Sequence, residues 1–180
     1  MIIDLGCGDG RGALALAAAD PGSLVLAVDA VAAAMAETSR RAARSVPNLL
    51  FIAASAEAFG CGLPGIADRV VVSFPWGSLL RGLLGLDPVV GEAVAGLLKP
   101  GGRLSALVSV TPRDRRTGLR ELDAASAAVA RPSPDLRLVE ARPATRDEIL
   151  VTRSTWGRRL IAGQGPTPRL VCRLEWRRAR

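Results

Sequence analysis

The sequence contains no histidine and no tyrosine, and it has only three tryptophans and three phenylalanines. The lack of histidine removes the side chain that most often serves as a general base or a metal ligand. Because aromatic residues are scarce, the core must be built from Leu, Val, Ile and Ala. The cysteines Cys7, Cys61 and Cys172 are odd in number and form no C-x-x-C pair, which favours neither a disulfide framework nor a zinc site. We therefore expect a metal-free protein of the reducing cytoplasm.

Long apolar runs are also missing. Gly, Pro and Arg interrupt every apolar stretch before it reaches about 18 residues, and the N-terminus lacks the charged region of a signal peptide. The sequence thus predicts neither a membrane protein nor an exported one. Its length fits a single domain, residues 1–180. The first apolar strand begins at Met1 or Ile2, so we expect either a truncated chain or a true start that lies upstream.

The net charge of +7 is unevenly distributed. Residues 1–90 carry six basic and eight acidic side chains, whereas residues 91–180 carry 18 basic and nine acidic ones. The second half is therefore the expected face for a polyanion. The alternative is compositional, because 23 arginines against one lysine is also the mark of a GC-rich coding sequence.

The chain is organised around a short apolar strand that runs into a glycine-rich turn, Asp4-x-Gly6-x-Gly8-x-Gly10. A dinucleotide fingerprint has the spacing G-x-G-x-x-G and binds a pyrophosphate. Here a carboxylate already stands in the strand, which suits a ligand that carries an ammonium and a sulfonium. The pattern resembles motif I of class I S-adenosylmethionine (SAM) methyltransferases. Asp29, with Ala30 beside it, ends the second strand, where a carboxylate can accept both ribose hydroxyls. The alternative is an ordinary glycine-rich first turn of an α/β protein.

Apolar strands and helical stretches alternate along the chain, which indicates an α/β fold with a parallel sheet. The resemblance to class I methyltransferases implies that this fold is Rossmann-like, with a seven-stranded, mostly parallel sheet and an antiparallel last strand. Trp176 is expected in the core, and a capping box opens a short helix at 145–148. Further strands are predicted at 24–28, 49–53, 70–73, 103–110, 136–140 and 169–176. Helices are predicted at 12–19, at about 31–45 and at 119–130. Another helix is predicted from residue 78, with a break at 85–88 after which it resumes at 89–98. A tight turn is predicted at 99–102 and a basic loop at 113–116.

Two tryptophans stand in unusual segments. Trp76 follows the fourth strand, between Pro75 and Gly77, where amino methyltransferases often present an aromatic face to a flipped base. The alternative is that it caps the core. Trp156 lies between Arg153 and the pair Arg158 and Arg159, a composition suited to stacking a base and holding its phosphates.

Together, residues 4–11 (D-L-G-C-G-D-G-R), 54–57 (A-S-A-E), 74–80 (F-P-W-G-S-L-L) and 154–160 (S-T-W-G-R-R-L) resemble the aminoglycoside-resistance 16S rRNA methyltransferases that modify N1 of adenine 1408. The resemblance implies that Trp76 and Trp156 sandwich the flipped adenine, that Ser154 helps to position it, and that basic residues hold the RNA. It also implies a monomer that acts on the assembled 30S subunit. The family normally has a β-hairpin before its first strand that contributes to rRNA docking, and the printed sequence begins after that point.

The expected site therefore has three groups of residues. The catalytic group is Trp76, Ser154 and Trp156. The RNA-binding group is Arg153, Arg158 and Arg159. The SAM-binding group is Asp4, Gly6, Gly8, Asp29, Ala30, Ala56, Glu57, Ser73 and Ser78, although Glu57 could equally be an acidic residue in the first turn of a helix. Two alternatives to rRNA methylation stay open: a class I methyltransferase that acts on another RNA or a small molecule, and a non-catalytic SAM-binding module.

Overall fold

A computed structural model describes residues 1–110, 130–162 and 170–180. The strands are β1 (Ile2–Leu5), β2 (Val25–Asp29), β3 (Leu49–Ala53), β4 (Ala67–Ser73), β5 (Leu98–Val108), β6 (Leu136–Pro143) and β7 (Cys172–Arg178). The helices in these ranges are α1 (Arg11–Ala19), α2 (Ala32–Ala42), α3 (Ala56–Gly62), α4 (Gly77–Leu83), α5 (Pro88–Gly96), α6 (Arg146–Val151) and α7 (Thr155–Ile161).

The strands form one seven-stranded sheet in the order β3-β2-β1-β4-β5-β7-β6. The first five strands run parallel to one another, and β7 runs antiparallel to both β5 and β6. The predicted seven-stranded, mostly parallel sheet with an antiparallel last strand is confirmed. The carboxyl ends of β1 to β4 consequently meet at one edge, where open α/β sheets bind their ligands.

The element boundaries agree with the sequence prediction to within a few residues, with one clear error. The predicted turn at 99–102 belongs to β5, because Ala67 pairs with Leu98 while Arg69 already pairs with Arg103. The extra residues form a bulge around Gly101, whose φ is 77°. The prediction did not include α7, and it left α3 open as the alternative interpretation of Glu57. Ser55 and Ser154 cap these two short helices. The basic loop at 113–116, the helix at 119–130 except Ala130, and the start of the strand predicted at 169–176 lie outside the described residues.

The core forms on both faces of the sheet. The larger cluster joins β1, β4, β5 and β7 to α3, α4 and α5, and a smaller one packs α1 against β2. Trp176 is fully buried, and its indole N–H donates a 3.0 Å hydrogen bond to the Ala130 carbonyl, so the prediction that it belongs to the core is confirmed. Among the described helices, none is both long and apolar enough to cross a membrane.

The packing of α5 gives a prediction for stability. A Cβ on Gly91 would lie 1.9 Å from the carbonyl oxygen of Pro132, whereas a Cβ on Gly96, in the same helix, would meet nothing within 4 Å. Gly91→Ala should therefore lower the free energy of unfolding by about 2 kcal/mol or more. Gly96→Ala should leave it unchanged or raise it by up to about 1 kcal/mol. Urea denaturation of both variants measures the difference, and equal effects would contradict this packing of α5.

Candidate active site

The turn after β1 can be formed only by small residues. Gly6, Gly8 and Gly10 all have φ between 59° and 74°, in the left-handed region that glycine adopts without strain. A Cβ on Gly6 would lie 2.9 Å from Leu79, and one on Gly10 would lie 2.4 Å from the Phe51 ring. A Cβ on Gly8 would meet nothing within 4 Å, because this residue borders the cavity described below. The chain therefore leaves space for a ligand directly over Gly8.

Asp29 holds this turn against the end of β2. The backbone N–H groups of Gly8 and Val31 each donate a 2.8 Å hydrogen bond to one of its two carboxylate oxygens. Each oxygen keeps a further lone pair, so the carboxylate can still accept ligand hydroxyls. The same side chain thus fixes the turn and presents acceptors beside it.

Asp4 is the most deeply buried acid of the site, with 4% of its surface exposed. Burial, together with the smaller effects of the nearby carboxylates Asp29 and Asp9, raises the pKa of Asp4 to about 7. Ionisation of this buried carboxyl group lowers the stability of the folded protein. A bound cation would offset that loss, because a positive charge favours the ionised form. Strongly perturbed acids in a cavity are candidates for functional sites.

A cavity of about 590 Å³ opens at this edge of the sheet. Its volume lies within the range of about 300–1,000 Å³ typical of small-molecule sites. All predicted catalytic and SAM-binding residues line it: Asp4, Gly6, Gly8, Asp29, Ala30, Ala56, Glu57, Ser73, Trp76, Ser78, Ser154 and Trp156.

The charged side chains that line the cavity, within the described part of the chain, are all carboxylates: Asp4, Asp9, Asp29 and Glu57. A cavity of this charge suits a cationic ligand and opposes a pyrophosphate. SAM carries both an ammonium and a sulfonium, so the acidic lining, the open space over Gly8 and the acceptors of Asp29 all fit this cosubstrate.

Glu57 satisfies both of the alternatives proposed for it, since it stands in the first turn of α3 and also lines the cavity. Its pKa is lowered, first by a hydrogen bond from its own backbone N–H and then by the hydroxyls of Ser55 and Ser78. The carboxylate therefore stays ionised at neutral pH. The contact with Ser78 also ties the start of α3 to the start of α4.

The segment that carries Trp76 is anchored by Phe74. Phe74 has an unusual φ of 55°, its N–H donates a 2.8 Å hydrogen bond to the Leu107 carbonyl, and its ring is buried. Positive φ at a non-glycine residue is costly and is found most often at functional sites. After this turn Trp76 stands at the N-terminus of α4 with 68% of its surface exposed.

Trp156 approaches the same cavity on α7. Ser154 caps this helix, because its Oγ accepts a 3.2 Å hydrogen bond from the Gly157 N–H. A Cβ on Gly157 would lie 2.9 Å from the Phe74 ring, so glycine lets the helix rest directly on that ring. The contact between Phe74 and Gly157 thus joins the two segments that carry Trp76 and Trp156.

Arg153, Arg158 and Arg159 do not line the cavity. All three are exposed, Arg153 in the turn between α6 and α7 and the other two on α7 itself. They therefore flank the segment that carries Trp156 and face solvent.

The sequence analysis missed several cavity residues. Ser109 follows the end of β5 and is buried, so the rule that ligands bind at the carboxyl ends of strands could have identified it. Thr152 has no such signal. Its hydroxyl donates to the Ile149 carbonyl at 2.7 Å, and its own carbonyl faces Gly12, where a Cβ would come within 2.9 Å. Other lining residues that the prediction did not include are, among others, Cys7, Asp9 and Thr155.

Comparison with known sequences assigns this geometry to a family. The family model described as NpmA, 16S rRNA (adenine(1408)-N(1))-methyltransferase, matches residues 1–174. A 16S rRNA (adenine(1408)-N(1))-methyltransferase of Streptoalloteichus tenebrarius is 31% identical over 179 residues, which cover 89% of this chain and 80% of that protein. A tRNA (guanine-N(7)-)-methyltransferase of Chloroflexus aurantiacus is 30% identical over 167 residues, which cover 90% of this chain and 69% of that protein.

Solved structures agree with the sequence comparison. The 16S rRNA methyltransferase KamB is similar with a TM-score of 0.86 and 28% identity, covering 99% of this chain and 87% of that one. A variant of the 16S rRNA (adenine(1408)-N(1))-methyltransferase from Catenulisporales acidiphilia, solved with its cosubstrate SAM, has a TM-score of 0.81 and 29% identity, covering 99% and 85%.

The raised pKa of Asp4 predicts a pH dependence of stability. Between about pH 4 and pH 7 the folded protein keeps a proton on Asp4 that the unfolded chain has released, so this residue lowers stability as the pH rises through that window. Asp4→Asn should remove this loss of stability. Without ligand, the variant should be more stable than wild type by about 4 kcal/mol or less at pH 8, but not at pH 4. Urea denaturation at both pH values measures it.

The matched control is Asp20→Asn, which neutralises an exposed acid outside the cavity. The difference in stability between this variant and wild type should be the same at pH 4 and pH 8. If Asp4→Asn behaved like this control, the side chain of Asp4 would have an ordinary pKa and the cavity would not impose the burial described above.

Proposed function

This chain belongs to the 16S rRNA (adenine(1408)-N(1))-methyltransferase family, and from that premise we propose that it transfers a methyl group from SAM to N1 of adenine 1408 in the 16S rRNA of the 30S subunit, giving aminoglycoside resistance. The observation that carries the proposal is the pair Trp76 and Trp156, which line one acidic cavity from two different helices. This arrangement combines a cation-binding cavity with two aromatic faces.

The SAM-binding role falls to the turn after β1 and to the acids around it. Asp4 would hold the ammonium, and Asp29 would accept the ribose hydroxyls beside Ala30. Ala56 and Glu57, at the start of α3, would lie against the adenine of SAM. Gly6 and Gly8 allow the ligand to approach the backbone, and Ser73 and Ser78 border the space toward Trp76.

The chemistry requires no general base. SAM supplies an electrophilic methyl group, which passes from sulfur to N1 of adenine. At neutral pH this nitrogen has a free lone pair, so no residue has to remove a proton, and the absence of histidine is no obstacle. Trp76 and Trp156 would stack on the flipped adenine with help from Ser154 and would accommodate the positive charge that develops on the base. Stacking of about 1–3 kcal/mol per base offsets the cost of unstacking.

Arg153, Arg158 and Arg159 are proposed to bind phosphates beside the flipped base, since all three are exposed next to Trp156. The phosphate-binding role of these arginines agrees with the excess of basic residues in the second half of the chain. The protein would act as a monomer in the cytoplasm, without a metal ion.

One observation favours a second candidate, methylation of tRNA, because a tRNA (guanine-N(7)-)-methyltransferase shares 30% identity over 90% of this chain. The N7 atom of guanine also carries a free lone pair and needs no base for methylation. The same acidic cavity and aromatic faces could therefore serve either nucleobase, and the RNA that is bound decides between them.

We expect the purified protein to transfer labelled methyl groups from SAM to 30S subunits, and reverse transcription across the decoding site to stop at adenine 1408. Expression of the protein should raise the resistance of a susceptible bacterium to aminoglycosides. Purified tRNA, assayed in parallel, should remain unlabelled. Labelling of tRNA alone would reject the rRNA proposal and support the second candidate.

Removal of either aromatic face should impair transfer while leaving the cosubstrate bound. Trp76→Ala and Trp156→Ala should each lower the rate of 30S methylation by roughly 10- to 100-fold, the equivalent of losing one stacking contact. Trp76→Phe and Trp156→Phe are the matched controls and should keep a large part of the activity, because phenylalanine retains a π-face. Calorimetry should show nearly unchanged SAM affinity in all four variants. Full activity of an alanine variant would refute the base sandwich.

A further inference from the structure

Four arginines lie side by side across four neighbouring strands of the sheet. Arg69 on β4 stands opposite Arg103 on β5, and Arg103 stands opposite Arg177 on β7. Arg177 in turn stands opposite Arg137 on β6. Neighbouring strands are about 4.8 Å apart, so these four residues, the arginine row, extend over about 14 Å.

The arginine row lies on one face of the sheet, and most of the row is exposed to solvent. Residues directly opposite each other in neighbouring strands point to the same face, and alternate residues point to the other one. The pair Leu104 and Trp176, one residue away, is fully buried in the core on the other face. Three members of the row, Arg103, Arg137 and Arg177, are exposed, and Arg69 is half-buried.

The positive charge of the arginine row is only partly balanced. Like charges directly opposite in a sheet repel. Glu175 approaches Arg103 at 3.8 Å, but it also binds Arg173 at 3.0 Å. Within residues 1–110, 130–162 and 170–180, no carboxylate forms an ion pair with the other three members of the row.

Arg69 is the half-buried end of the row. Burial has the largest effect and lowers the pKa of Arg69, the nearby cations Arg173 and Arg103 lower it further, and Glu175 acts in the opposite direction. The guanidinium also borders a second cavity, of about 170 Å³, together with Arg173 and the buried Ser105. An external anion at this end of the row would therefore relieve both the desolvation and the repulsion.

We infer that the arginine row binds the phosphodiester backbone of RNA. Arginine matches phosphate with two parallel hydrogen bonds, and a flat series of cations about 5 Å apart suits an extended polyanion better than a single small ion. The row lies four residues before the end of β4, so it is about 13 Å along the strand from the edge that carries the cavity. It therefore holds a different stretch of RNA from the one that contains the target base. With the proposed function as the premise, that RNA is 16S rRNA.

The test compares a variant that lacks two charges of the arginine row with a control variant that lacks two charges elsewhere. In Arg137→Gln/Arg177→Gln, both side chains are exposed and form no hydrogen bond or ion pair within the described residues, so folding should be preserved. The matched control is Arg44→Gln/Arg146→Gln, after α2 and at the start of α6, where both side chains are also exposed and form no hydrogen bond or ion pair within the described residues. Calorimetry with SAM verifies that each protein retains its cosubstrate site.

Binding of wild type and both variants is measured on 30S subunits and on a generic RNA duplex at several salt concentrations. On both RNAs, the row variant should bind more weakly than wild type and should lower the slope of log K against log salt by about two, one for each lost phosphate contact. The control should keep the wild-type slope. Equal slopes for the two variants would overturn the inference.

Two further outcomes separate this inference from the proposed function. If wild type fails to methylate 30S subunits but the row variant still loses affinity for the RNA duplex, the proposed function fails and RNA binding by the row stands. If the row variant loses affinity for 30S subunits while its binding to the duplex is unchanged, the row contacts a ribosomal protein, and its assignment to RNA is wrong.

Discussion

The contact between Phe74 and Gly157 determines how the two halves of the candidate site meet. The Phe74 ring fills the space under α7 that any side chain at position 157 would occupy, while the Phe74 backbone begins the turn that presents Trp76. One buried ring therefore sets the positions of two aromatic residues that are 80 positions apart in the chain. The positive φ of Phe74 is tolerated because its N–H is bonded to Leu107 and its ring is packed in a small apolar cluster.

The cofactor half of the site depends on a different constraint, the parallel alignment of β1 and β2. This alignment places Asp4 and Asp29 close enough for one carboxylate to raise the pKa of the other. Two nearby acids in a partly buried cavity destabilise the folded protein. The cost is understandable if the cavity receives a cation, because the ligand then supplies the missing counter-charge. Stability and ligand binding are thus in opposition at Asp4, as is common for residues in functional sites.

Charge separates the molecule into two surfaces with different partners. Among the described residues, the charged side chains that line the cavity are carboxylates, whereas one face of β4, β5, β7 and β6 carries the arginine row. A cationic cosubstrate and a polyanionic substrate can therefore approach the same small protein without competing for the same groups. The net charge of +7 conceals this division, which becomes visible only when the strands are placed beside one another.

The sequence alone determined the fold class and most of the candidate site. Buried parallel strands are continuous apolar runs, and the residues that follow them carry the ligand-binding groups, so Asp4, Asp29 and Trp76 could be found from local pattern. Tertiary structure alone decided which residues meet across the chain. Thr152 reaches the cavity because α6 ends against Gly12, and the arginine row exists only through the register of four strands. Neither the position of Thr152 nor the arginine row can be predicted from a local sequence pattern, because both depend on contacts between segments that are distant in sequence.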